Sequence, residues 1–272
     1  MKRFVTATLV AAVMGGGLVL AKDANKIVVD GSTTVGPIAK AFAEYYMGKH
    51  AEVNITVSES GSGNGAKSLI NAACDVATMS RPMKNSEKAA AQGAGILPIE
   101  HIVAMDGIAM VVHPGNPVEN LTIERIRDIY TGKIRNWKDL GGPDLPIVVI
   151  SRDTNSGTYE CFEALIMNKQ KMAGKTEYVG SNGAIRQRVM STQGAIGYVG
   201  LAFREGVKAL KVNGIEVSPE TVVVKTYPIA RPLYMYTNGR PSQDSPLFDF
   251  INLSDTPEGK KMIQDTGFVP LN

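Results

Sequence analysis

Ser151-Arg152-Asp153-Thr154-Asn155-Ser156-Gly157-Thr158 follows the β-branched run Ile147-Val148-Val149-Ile150 and precedes a mixed apolar run over 159–167. The order reads as strand, tight turn and helix start, with hydroxyls where helix caps belong. The backbone N–H groups of Gly157 and Thr158 would point out of the helix start. Beside them stand the hydroxyls of Ser156 and Thr158, with the Arg152 guanidinium at the strand end. Such a set donates hydrogen bonds and accepts few, which suits an oxyanion. Taken alone, the stretch also reads as an ordinary strand-to-helix turn with a solvated arginine. Two more turns of hydroxyls and glycines weigh for the anion.

The first is Gly31-Ser32-Thr33-Thr34, between the short strand Ile27-Val28-Val29-Asp30 and a helix. Ile38, Ala41, Phe42, Tyr45 and Tyr46 form one apolar stripe on that helix, as expected for packing on a sheet. The second is Gly61-Ser62-Gly63-Asn64-Gly65, after the strand Asn54-Ile55-Thr56-Val57-Ser58. Its glycines allow close backbone approach and positive φ, the conditions for a nest of N–H groups around an anion. The stretch 61–68 is near a phosphate-cradling P-loop, but Ala66 stands where that motif needs its second glycine. A third strand end, Asp75-Val76-Ala77-Thr78-Met79, leads to Ser80-Arg81-Pro82. Pro82 biases Arg81 toward an extended turn, facing solvent or a cleft. Ligands collect at the carboxyl ends of such strands.

The rest of the chain supplies scaffold. Strands are expected over 96–104 and 108–113, separated by Met105-Asp106-Gly107, and His113-Pro114-Gly115-Asn116-Pro117 breaks the pattern. Thr122 should cap a helix, with Leu121 and Ile126 as its hydrophobic staple. Asn182 reads more simply as a helix cap than as a cleft donor. A strand is expected over 221–226, then a second break at Tyr227-Pro228-Ile229-Ala230-Arg231-Pro232, a strand over 233–237 and two closing helices begun by Ser245-Pro246 and Thr256-Pro257.

The chain has 272 residues and a net charge of +3. Lys2 and Arg3, an apolar run over 5–20 and the small-residue pattern Val19-Leu20-Ala21 read as an export signal cleaved after Ala21. The remainder is nearly neutral, so neither nucleic acid nor a membrane surface is an expected partner. Cys74 and Cys161 lie far apart in sequence, and two buried thiols are expected rather than a bridge. No G-x-S-x-G, H-E-x-x-H or C-x-x-C occurs, and His50, His101 and His113 stand outside the hydroxyl turns. The turns therefore offer donors without an evident base, acid or nucleophile. They read as a receptor rather than an enzyme, with no cofactor and no metal.

On these turns the sequence resembles the PstS-like phosphate-binding proteins of ABC transporters. The stretches Ile129-Tyr130-Thr131-Gly132-Lys133-Ile134-Arg135-Asn136-Trp137 and Ile196-Gly197-Tyr198-Val199 are similar to that family too. The resemblance spans nearly the whole chain after residue 21. It implies an α/β type II periplasmic binding fold of two lobes, each a mixed sheet flanked by helices, with the ligand cleft between them. Lobe I would comprise 22–113 and a return segment 230–272, and lobe II 114–229. Carried over, Ser32, Thr33, Thr34, Ser62, Ser80 and Arg81 would hold phosphate from lobe I, and Arg152, Ser156, Gly157 and Thr158 from lobe II. The implied protein is a periplasmic monomer that captures inorganic phosphate and delivers it to ABC permease subunits in the inner membrane. Many members of the family carry an Asp where Ser80 stands. That carboxylate accepts the proton of hydrogen phosphate and repels sulfate, whereas a hydroxyl only accepts the proton. Sulfate or another tetrahedral oxyanion thus stays open as ligand, and an exported phosphatase and a sensor subunit as alternative functions.

Overall fold

The computed structural model describes residues 23–271. The expected export signal at 1–21 lies outside the described residues. Eleven strands and nine α-helices follow one another among the described residues. The first part runs β1 (Lys26–Gly31), α1 (Gly36–Lys49), β2 (Asn54–Ser58), α2 (Ser62–Ile70), β3 (Val76–Met79) and α3 (Asn85–Gly93). The long strand β4 (Pro98–Val112) comes next, then β5 (Asn120–Leu121), α4 (Ile123–Tyr130), β6 (Val148–Arg152) and α5 (Gly157–Phe162). They are followed by β7 (Glu177–Val179), α6 (Asn182–Met190), β8 (Ala195–Gly200), β9 (Lys208–Ala209), β10 (Lys211–Val212) and α7 (Pro219–Val223). The chain closes with β11 (Ala230–Asn238), α8 (Pro246–Asn252) and α9 (Pro257–Asp265).

The main sheet has the order β2-β1-β3-β11-β4-β8-β6-β7. Strands β1, β2 and β3 are parallel, as are β8, β6 and β7, so each half gathers its strand ends on one side. Both halves share β4. From Pro98 to Gly107 it pairs antiparallel with β11, and from Ile108 to Val112 with β8. The cores divide at the same place. Val103 and Ala104 pack with the stripe of α1, including Ile38, Phe42 and Tyr46, while residues 108–112 pack with Trp137, Phe162 and Tyr198.

Three expected elements are corrected, the first being the second break, which ends at Ile229 because Ala230, Arg231 and Pro232 already pair with β4 as part of β11. The break at Met105-Asp106-Gly107 is continuous strand. Gly107 is there for packing, since a Cβ at this position would lie 2.8 Å from a methyl of Val217 and of Val222. The strand expected over 221–226 is instead α7 and its end. Ser218 caps that helix in a capping box with Thr221, and Pro219 opens it, so local start signals outweigh the β preference of three valines. Thr122, Ser245 and Thr256 cap α4, α8 and α9 with their hydroxyls as expected.

Candidate functional site

The three turns after β1, β2 and β3 meet the turn after β6. Gly61, at the cap of α2, has a φ of 102°, which an L side chain rarely adopts. Its N–H donates to the Gly31 carbonyl at 2.6 Å, tying the first two turns together. The Ser62 hydroxyl is thereby buried; it accepts from the Ser80 N–H at 3.1 Å and shares a hydrogen bond with the Ser80 hydroxyl at 3.4 Å. From the other half, Gly157 presses onto this pair. A Cβ there would sit 2.5 Å from Ser62 Oγ and 2.7 Å from Ser80 Oγ, so any side chain would drive the halves apart. The Gly63 N–H donates to the Asn155 carbonyl across the same seam at 2.9 Å.

Hydroxyls also meet directly. Thr34 Oγ1 and Thr158 Oγ1 share a hydrogen bond at 3.1 Å, although 124 residues separate them. Asn182 Nδ2 donates to Thr33 Oγ1 at 3.3 Å and to Thr34 Oγ1 at 3.0 Å. Asn182 is therefore a lining residue, and the cap of α6 is Ser181. Its buried amide is held in orientation because Oδ1 accepts from the Gly200 N–H at 3.2 Å.

Arg152 supplies the charge. Its side chain is fully withdrawn from solvent, at 1% exposure. Nη2 donates to the Gly180 carbonyl at 2.8 Å, whereas Nε and Nη1 meet no acceptor in the protein. Burial, reinforced by the nearby Arg231, pushes the guanidinium down to about 10. It is still a cation at neutral pH, and an arriving anion would relieve both the lost hydration and the open donors. Tyr198 braces it from behind: its hydroxyl accepts the Arg152 N–H at 3.2 Å, and its ring stacks on Phe162 with centroids 4.0 Å apart.

Three expected residues are engaged within the protein. The Ser32 hydroxyl accepts from the N–H groups of Thr34 and Val35, and the Ser156 hydroxyl accepts from the Tyr159 N–H. Both are buried turn or helix caps that accept through a lone pair and keep the O–H as a donor. Arg81 is buried but engaged elsewhere, in ion pairs with Glu87 at 2.7 Å and Glu160 at 2.9 Å. The structure joins Thr33, Thr34, Ser62, Ser80, Gly157 and Thr158 in one hydrogen-bonded and packed cluster, with the open guanidinium of Arg152 at the end of β6, before the turn that leads to Gly157.

Sequence reasoning missed Asp106 and Arg231. Arg231 Nε and Nη2 donate to Asp106 Oδ2 at 3.0 and 2.8 Å. The same guanidinium donates to Thr158 Oγ1 at 2.9 Å and to the Ser80 carbonyl at 3.0 Å, linking both halves. Burial works against the Arg231 charge, and the Asp106 carboxylate outweighs it, leaving the guanidinium raised. The available signal was one lone charge in each of two apolar runs, 102–112 and 227–236, because a buried charge needs a buried partner. Cys161 and Cys74 are not bridged; the partly exposed Cys161 thiol donates to the Ser80 carbonyl at 3.4 Å.

Comparison with known proteins places this geometry. The model of the PBP superfamily domain matches residues 19–253. The chain belongs to the PBP superfamily and to its PstS-like phosphate-binding proteins. Among members of that family, the phosphate-binding protein PstS of Staphylococcus saprophyticus is 33% identical over 270 residues, covering 94% of this chain and 84% of that protein. Protein SphX of Synechococcus elongatus is 34% identical over 261 residues, covering 90% and 77%. A phosphate ABC transporter substrate-binding protein of Clostridium perfringens, solved with bound phosphate, superposes with a TM-score of 0.83 at 33% identity, covering 91% of this chain and all of that one. An ABC-type phosphate transport receptor of Vibrio cholerae gives 0.74 at 31% identity, covering 90% of this chain. The expected type II periplasmic binding fold is thus the fold of the protein.

Proposed function

We propose that the protein captures inorganic phosphate between its two halves and hands it to ABC permease subunits in the inner membrane, working in the periplasm as a monomer once residues 1–21 are removed. The observation that carries this reading is Arg152, a buried guanidinium whose Nε and Nη1 have no acceptor in the protein, beside a cluster of hydroxyls. The starts of α1, α2 and α5 add backbone donors. Hydrogen bonds to a charged group contribute roughly 1.5–3 kcal/mol each, so several together offset the cost of stripping water from a dianion. The names of the PstS relatives and the phosphate-bound neighbour support the same ligand.

In this reading Ser62, Ser80, Thr33, Thr34 and Thr158 contact the anion, Gly157 contributes its N–H, and Ser32 and Ser156 hold the turns. Arg81 positions the rim through its carboxylates rather than touching the ligand. The lobes close about the two strands that cross between them, β4 and β11. We place the crossings at Gly107 and Ala230, which pair with each other at the point where β4 passes from β11 to β8. In this reading the first crossing falls at Gly107 rather than after 113, and the second stays at 230. Closure dries the site, which strengthens each charge-assisted bond, and gives the permease a shape to recognise.

Calorimetry on ligand-free protein with phosphate, sulfate and molybdate tests the proposal. Phosphate should bind tightest; absence of heat with phosphate refutes the ligand. Ser80 brings a hydroxyl rather than a carboxylate, and the buried Asp106 is already paired with Arg231. Tighter binding of sulfate would therefore make this a sulfate receptor. Incubation with a chromogenic phosphate ester should release nothing, and turnover would restore the phosphatase reading.

A further inference from the structure

We propose that a second ligand site lies in the half of the molecule that carries Arg152, in a cavity of about 490 Å³ suited to a medium-chain aliphatic monocarboxylate. The segment 129–137, which the anion site leaves unused, forms one wall through Ile129 and Ile134. The run into β6 forms the floor through Ile147 and Val149, and the loop before β7 closes the third side through Ala173. Strand β7 begins at Glu177, opposite Ile150, so no residue of β7 covers that edge of β6 over 148–149. The cavity occupies the uncovered stretch.

The walls are tied in place rather than loosely apposed. The Ile147 N–H donates to the Arg135 carbonyl at 2.9 Å, and the Ala173 N–H donates to the Tyr130 carbonyl at 2.8 Å. A preformed, mainly apolar cavity of this size with few polar groups is what small-molecule sites look like. Thr176 lines it and is 8% exposed, and its Oγ1 meets no partner in the protein. A buried hydroxyl without a partner is uncommon in a folded protein, and a ligand oxygen would satisfy it.

Charge selects the head group. Arg135 and Lys175 both line the cavity and are exposed. Glu177 is the one acid among the lining residues, and Arg188 takes both its oxygens, at 2.8 and 2.9 Å. The mouth is therefore cationic over an aliphatic interior, which favours a carboxylate with its chain inward. This inference does not rest on the phosphate reading.

Octanoate is the probe. Titrated into the full protein after export processing, it should shift the methyl resonances of Ile134, Ile147 and Val149 saturably, with a dissociation constant of about 1 mM or tighter. Thr176→Val, nearly isosteric, should weaken binding about tenfold, the worth of one buried hydrogen bond. Lys175→Glu should weaken it by about fivefold or more, and 1-octanol should bind about tenfold less tightly than octanoate. Ala173→Phe puts a ring into part of the cavity and should weaken binding while the melting temperature holds. No saturable shift with octanoate, or equal affinity for octanol and octanoate, overturns the proposal. So does wild-type affinity in a folded Ala173→Phe; should that variant not fold, wild-type affinity in Thr176→Val has the same force.

Discussion

Arg81 and Arg152 occupy matching places in the two halves of the molecule. Each stands at the carboxyl end of a parallel strand, before a turn into a helix, and each is withdrawn from solvent, at 4% and 1% exposure. Their surroundings differ. Arg81 sits between Glu87 and Glu160, with Lys84 sharing Glu160 at 2.7 Å. Arg152 has one backbone carbonyl and two unanswered donor atoms. Arg231, the third arginine buried among the described residues, is matched by Asp106. Burial of a charge thus does not mark a ligand site. Burial that the protein leaves uncompensated does, because the missing hydration has to be replaced from outside.

The comparison breaks most readily at Arg152. Arg152→Met should lower phosphate affinity by at least about 100-fold, the worth of two charge-assisted hydrogen bonds. Its thermal stability should hold or rise, since an uncompensated buried cation is removed. A calorimetric affinity within a few-fold of wild type would mean the guanidinium is not facing the ligand.

Asp106→Asn tests the compensated arrangement. Removing one partner of a buried pair should destabilise the fold by about 3–5 kcal/mol, read as a lower denaturant midpoint. Arg231 would then remain as a second open cation beside Thr158. An unchanged midpoint would show that the pair contributes little to stability.

A smaller effect is expected at the hydroxyls. Ser62→Ala removes the side chain that joins the second and third turns, and should cost phosphate affinity about tenfold with a modest loss of stability. No change by calorimetry would place the ligand away from the start of α2.

The smallest effect on affinity belongs to Arg81→Met, which should stay within about threefold of wild type while stability falls, because Glu87 and Glu160 lose their partner. Acid unfolding sharpens this. Burial alone would raise the Glu87 carboxyl, but hydrogen bonds from Arg81 and the Lys84 N–H hold it below its ordinary 4.5. A carboxyl depressed in the folded state contributes stability above the unfolded value and loses it as pH falls through the folded one. Wild type should therefore lose stability as pH drops below 4.5, and Arg81→Met should show a shallower acid limb. Identical limbs would argue that the pair is too solvated to matter.

Much of this was legible in the residues. Hydroxyls and glycines following β-branched runs named the first, second and fourth turns, and Gly157 was readable as a backbone donor, whereas its close approach to Ser62 and Ser80 needed the tertiary structure. Thr122, Ser245 and Thr256 were readable as caps because a cap is decided within four residues of chain. Met105-Asp106-Gly107 misled for the opposite reason. A glycine beside an aspartate is a turn signal locally, and only Val217, Val222 and Arg231, all more than 100 positions downstream, make it strand.

Sequence alone settled which turns carry donors and which strands they follow, since backbone geometry, capping and apolar periodicity act over a few residues and leave local marks. It could not say which of these groups are already engaged within the protein. That Ser32 and Ser156 cap, that Arg81 is neutralised, that Asn182 joins the cluster and that Arg152 stays open depends on carbonyls and carboxylates brought from distant segments. Electrostatic compensation is a property of neighbours in space, and those neighbours exist only once both halves of the sheet have been laid on β4.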